Sequence, residues 1–235
     1  MTAADRDYGR DLYPFLYDTP PTAHAVSAVL AEVRRSTVAK CAEVVALRRR
    51  LFDEYAELLV DAATAMAGAF AAGGKLLAFG NGGSATDAQD AAADCMAPPL
   101  AHWRALPAIA LVNDVAVVTA LGNDLGFDHV FARQVIAFGE AGDVALGIST
   151  SGNSGSVVAA LAEAKRRRLV TVALAGYDGG AVARAGAADF CFVARLEYVP
   201  RIQEGQATLW HTLLELVQES LGESLTGRAT APKET

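Results

Sequence analysis

Cysteine is scarce in this 235-residue chain: Cys41, Cys95 and Cys191 are widely spaced, and there is no CxxC pair. That excludes a disulfide scaffold and a zinc-ribbon spacing, and it fits a reducing, cytoplasmic setting. Positive charge is also in deficit. Lys and Arg total 20 against 27 Asp and Glu, a net charge of −7, which argues against nucleic acid as a partner. The basic runs Arg48–Arg50 and Lys165–Arg168 read as solvated helix faces. No apolar run reaches the ~18 residues of a membrane span, and the start, "MTAADRDYGRDLYPF", lacks the layout of a secretory signal. Neither a Walker pattern nor GxGxxG occurs at the glycine-rich loop, so no nucleotide cofactor is expected.

What is present is an apolar chain, 52% hydrophobic and 20% charged, long enough for one sizeable α/β domain. Residues 1–22 form a polar leader interrupted by "LYPFLY", which is expected to pack on a neighbouring subunit, a docking segment being the alternative. Residues 23–222 form a single domain, and 223–235 a flexible tail. The helical pattern from Ala23 to Ala72 is read as two helices ending at Gly73-Gly74. Five short apolar segments follow: "KLLAF", "LPAIALV", "DVALGI", "LVTVALA" and "DFCFVA", separated by helical stretches. Continuous rather than alternating apolar strands predict a five-stranded parallel sheet flanked by helices, a three-layer α/β fold. A last helix is expected over Arg201 to Leu221. Ligands of such sheets lie beyond the carboxyl ends of the strands.

Two loops fall at that edge. In "GISTSGNSGS", Ser149, Thr150, Ser151 and Ser154 stand between a strand and a helix. Hydroxyls, backbone N–H groups and a helix N-terminus together suit a phosphate without any lysine. In "FGNGGSATDAQDAAADC", Gly82 and Gly83 let backbone approach a ligand closely, and Asn81 both donates and accepts, which suits a polyhydroxylated molecule. Ser84 is the expected cap of the following helix. On that helix Asp87, Asp90 and Asp94 share one face and repel one another, which a cation or a proton would relieve. The last helix carries Gln203 and His211, about 12 Å apart along an ideal axis.

"FGNGGSATDAQ", "ALGISTSGNSGSV", "GYDGG" and "RIQE…WH", in this order, resemble the sugar isomerase (SIS) domain family, and within it the phosphoheptose isomerases. The resemblance spans Val26 to Leu221. It implies a homotetramer that interconverts sedoheptulose 7-phosphate and glycero-manno-heptose 7-phosphate through an enediol. It implies that Asn81, Gly82, Gly83, Asn113, Asp114 and Gln203 contact the sugar, and that Ser149, Thr150, Ser151 and Ser154 take the phosphate. It also implies a divalent metal, zinc in the relatives, which carry a His, a Glu four residues on, then Gln and His. Here those positions hold Asp90, Asp94, Gln203 and His211. Two carboxylates, an amide and an imidazole make an oxygen-rich set, open to Mn²⁺ and similar ions as well as Zn²⁺. Asp94 is the implied base and His211 its partner acid. The family also contains non-catalytic sugar-phosphate sensors and proteins that associate with the bacterial replication initiator, which gives the alternative reading.

Overall fold

The computed structural model describes the backbone over residues 23–229 and side chains over residues 26–222. The leader, with "LYPFLY", and residues 230–235 lie outside the described residues. The chain divides into two compact units, residues 1–43 and 44–235.

Helix α1 (Ala23–Ala71) is one continuous helix, where the sequence reading has two. Between His24 and Ala67 there is neither Gly nor Pro, so nothing interrupts the backbone hydrogen bonding. It ends where Gly73, at φ 92°, donates to Phe70 O and Gly74 donates to Ala69 O, a glycine C-terminal cap. In the first unit the helix exposes Val29, Leu30, Val33 and Val38. In the second unit Leu47, Leu51, Tyr55, Leu59, Ala62 and Met66 are buried at three- and four-residue spacing, one face of the helix.

The second unit continues with β1 (Leu76–Gly80), α2 (Gly83–Met96), β2 (Ala108–Ala110), α3 (Val115–Leu125), a 3₁₀ turn (Phe127–His129), α4 (Val130–Phe138), β3 (Val144–Ser149), α5 (Gly155–Arg166), β4 (Val170–Gly176), α6 (Gly180–Arg184), β5 (Phe190–Ala194) and α7 (Val199–Ala229). All strands pair in parallel in the order β2-β1-β3-β4-β5, as the apolar runs predict. Alternate strand residues face opposite layers. Leu76, Ala78, Val144, Leu146 and Ile148 pack with α1, α2 and α7, while Leu77, Phe79 and Ala145 pack with α4 and α5. The strand order reverses between β1 and β3, so the loops leaving these two strands run apart and open a crevice at their carboxyl ends.

Local boundaries differ from expectation in places. β2 has three residues rather than the whole of "LPAIALV". Helix α2 starts at Gly83, with Gly82 in the capping position; Ser84 lies inside its first turn, buried, and does not cap it. The last helix runs on to Ala229 rather than ending near Leu221.

One carboxylate pins β4 to the segment before β5. Asp189 accepts from Thr171 N at 3.1 Å and Thr171 Oγ1 at 2.8 Å, and lies 3.2 Å from Lys165 Nζ. Partial burial pushes its carboxyl up, but the Thr171 hydrogen bonds and Lys165 outweigh this and leave it below the usual carboxylate value. The stabilisation is therefore complete above the unfolded value of about 3.9 and is lost as pH falls through the lower folded value. Asp189→Asn is expected to reduce the urea midpoint at about pH 7 and to reduce it less at about pH 3. Equal losses at both pH values would contradict this.

Candidate functional site

The glycine loop and the serine loop meet at the crevice. Asn81, the residue after β1, donates through Nδ2 to Ser156 Oγ at 2.9 Å and to Ser154 Oγ at 3.4 Å, tying the end of β1 to the start of α5. Gly82 has φ 57° and ψ −123°, a backbone conformation that side chains disfavour. Gly83 meets a side chain instead: a Cβ there would lie 2.2 Å from Gln203 Nε2. The amide of Gln203, on α7, thus rests on the backbone of the glycine loop. Gly83→Ala is expected to push the Gln203 carboxamide aside at little cost in stability, because the atoms it meets are the far end of a flexible side chain; thermal unfolding would measure this. A large fall in the unfolding temperature would contradict this.

At the serine loop the start of α5 has no side-chain cap, and the Asp128 carboxylate stands beside Gly155. Ser154 precedes α5 in extended geometry and makes no side-chain cap; Val157 N and Val158 N bond to its carbonyl. The N–H groups of Gly155 and Ser156 have no partner among the described residues, and they sit at the positive end of the α5 dipole. Ser149 is buried, and its Oγ has no partner among the described residues. Ser151 Oγ accepts from Asn153 N at 3.1 Å, and Thr150 follows the end of β3, half-buried. The "GYDGG" turn braces this loop. Asn153 Oδ1 accepts from Ala181 N at 2.9 Å, Gly152 O accepts from Val182 N, and Tyr177 is held at φ 51°. A cavity of about 680 Å³ opens beside Ser151 and Asn153, walled by Tyr177, Asp178, Arg195 and Glu197.

The remaining sugar contacts expected from the sequence are Asn113 and Asp114. Both are exposed at the end of β2. Asn113 Oδ1 accepts from Gln89 Nε2 at 2.7 Å, and Asp114 caps α3, accepting from Val117 N at 3.0 Å.

The acidic face of α2 turns towards α7. Asp87 Oδ2 accepts from Gln203 Nε2 at 3.5 Å. Burial pushes the Asp87 carboxyl above its ordinary value; Gln203 opposes the shift and the neighbouring Asp90 adds to it. Asp94 Oδ2 accepts from the indole Nε1 of Trp210 at 3.0 Å and lies 3.7 Å from His211 Nε2. Oδ1 of Asp94 has no partner among the described residues. Between the helices and the ends of β3 and β4 is a cavity of about 80 Å³, lined by Asp87, Asp90, Ile148, Leu174, Gln206 and His211 among others.

The four residues that the resemblance assigns to a metal are only partly brought together. Asp94 and His211 are adjacent; Asp90 shares the small cavity with His211; Gln203 faces Asp87 and the glycine loop. Among the described residues no three or more His, Cys, Asp and Glu are grouped so as to hold an ion. Gln203 faces Asp87 rather than Asp94 and His211, so the four donors as arranged are not gathered into a metal cage. Sequence reasoning did not place Ser156, Gln206 or Trp210 in the site. The last two follow Gln203 at helical spacing on α7, a periodicity that was legible once Gln203 was singled out.

Comparison with known proteins agrees with the fold. The SIS domain family profile matches residues 41–176. The phosphoheptose isomerase of Pelobacter propionicus is 47% identical over 178 residues, 74% of this chain and 93% of the relative. That of Aquifex aeolicus is 47% identical over 169 residues, 72% of this chain and 87% of the relative. Among solved structures, the phosphoheptose isomerase of Neisseria gonorrhoeae superposes with a TM-score of 0.72 at 38% identity, covering 80% of this chain and 99% of that one. The enzyme of Francisella tularensis gives 0.68 at 31% identity, covering 78% and 98%.

Proposed function

The chain belongs to the SIS domain family, and from that premise we propose that it is a sugar-phosphate aldose–ketose isomerase of the phosphoheptose isomerase kind, acting on sedoheptulose 7-phosphate. The observation that carries this reading is the hydrogen-bonded junction of the two loops: Asn81 bonds to Ser154 and Ser156, so one molecule can span them. Ser149, Thr150, Ser151 and Ser154 take the phosphate with the N–H groups that begin α5. Asn81 and the backbone of Gly82 and Gly83 take the hydroxyl chain, with Gln203 above them and Asn113 and Asp114 at the far rim. The aspartates of α2 then face the reacting end, away from the phosphate, while the Asp128 carboxylate stands beside Gly155 at the phosphate end.

Asp94, through its free Oδ1, removes the proton from the carbon that bears the hydroxyl next to the carbonyl. The C–H electron pair becomes the C=C bond of the enediol, and the carbonyl oxygen takes a proton from His211. Returning a proton to the other carbon, while its neighbour's hydroxyl gives one up, completes the isomerisation with no net change in electrons or protons. Trp210 can only donate, and its bond to Oδ2 fixes the orientation of the Asp94 side chain. No step is routed through a metal. A homotetramer and a cytoplasmic location belong to the same proposal. The exposed apolar residues of α1 support the first; the separate free cysteines support the second.

The test is conversion of sedoheptulose 7-phosphate to the aldose phosphate, followed by NMR. Binding without conversion would replace this reading by the non-catalytic sensor.

A further inference from the structure

We propose that Gln206 binds the hydroxy-carbonyl end of the sugar phosphate, its carboxamide bonding both oxygens of that unit from the wall of the small cavity between α2 and α7. This inference rests on the isomerase reading and adds a residue that neither the motifs nor the family pattern assigned.

Gln206 is 1% exposed, and neither its Oε1 nor its Nε2 has a partner among the described residues. A buried amide left unpaired is costly, and both of its ends are unpaired here. The side chain lines the ≈ 80 Å³ cavity whose floor is Ile148 and Leu174, near the carboxyl ends of β3 and β4, and whose walls include Asp87, Asp90 and His211. At roughly 30 Å³ per water, that space takes the last carbons of a sugar and not the whole molecule. It lies at the edge of the sheet where ligands of this fold class bind. A hydroxyl beside a carbonyl offers one donor and one acceptor on neighbouring carbons; a carboxamide offers the complementary acceptor and donor. As the enediol forms, negative charge grows on the carbonyl oxygen, and the Nε2 donor strengthens its bond there. His211, on the same wall, lies 3.7 Å from Asp94 and so links this cavity to the base.

The test uses Gln206→Met, similar in volume, with Gln206→Leu as a second variant. The ligands are sedoheptulose 7-phosphate, a dideoxy alditol phosphate lacking the two terminal oxygens, and inorganic phosphate. The wild type is expected to bind the sugar about tenfold or more tighter than the dideoxy compound, as two lost hydrogen bonds imply. Both variants should bind the two organic ligands alike and inorganic phosphate as the wild type does. Their kcat should fall about 10²–10³-fold, with melting temperature unchanged or raised. Variants that still prefer the sugar as the wild type does would overturn the assignment while leaving the isomerase reading intact. A lowered melting temperature in both variants with unchanged kcat would mean a packing role and would also overturn it. A wild type that binds phosphate but shows no preference for the sugar and no conversion would overturn both readings.

Discussion

Asp94→Asn is expected to abolish isomerisation, lowering kcat by about 10²–10⁴-fold, the range for removal of a positioned general base, while sugar-phosphate affinity stays within about twofold. The amide keeps the shape of the carboxylate, and its oxygen can still accept from the indole N–H of Trp210, which sits 3.0 Å from Oδ2. What disappears is basicity. Because the serine loop proposed for the phosphate lies between β3 and α5 and Asp94 lies on α2, the proposal assigns binding and proton abstraction to separate elements. Calorimetry with the sugar phosphate would measure affinity, and an NMR time course would measure turnover. Full activity in Asp94→Asn would refute the mechanism; loss of both affinity and turnover would place Asp94 in binding instead.

The complementary result is expected from Ser151→Ala combined with Ser154→Ala. Each hydroxyl removed costs about 1.5–3 kcal/mol where it bonds a charged group, so the pair should weaken sugar-phosphate binding by roughly 3–6 kcal/mol. Ser154 also receives the weaker bond of Asn81 at 3.4 Å, but the stronger one, to Ser156 at 2.9 Å, remains and holds the loops together. Unfolding midpoints should therefore change little. Unchanged calorimetric affinity would remove the phosphate from this loop.

Much of this architecture was legible in the sequence, and the reasons are local. Strands such as "DVALGI" are buried on both faces, and continuous apolar runs between polar loops follow from that burial. The glycine and serine loops stood out because close backbone approach and anion binding draw on few residue types. Boundaries were less legible. Periodicity shows which face of α1 is buried but not whether the helix breaks, and only the absence of Gly and Pro between His24 and Ala67 decides for one helix. The start of α2 was misplaced because a buried Ser84 has the same sequence signature as a capping one. Gln203 and His211 were legible as partners of the acidic face only through the family resemblance, and Trp210 was not legible. Trp210 reaches Asp94, and Gln203 reaches Asp87, across a sequence separation of 116 residues, and nothing in either helix alone announces the pairing. Gln206 became a candidate only once its burial and unpaired amide were visible.

The enediol is the centre of this account, and solvent exchange reads it most directly. The wild-type protein, incubated with sedoheptulose 7-phosphate in heavy water, is predicted to place deuterium on the carbons between which the proton moves: C2 of the aldose phosphate and C1 of the recovered ketose. Proton abstraction by Asp94 exposes the carbon to exchange with solvent before reprotonation. Conversion that proceeds with the carbon-bound hydrogen fully retained would contradict the enediol, and no conversion with no deuterium uptake would contradict the isomerase itself.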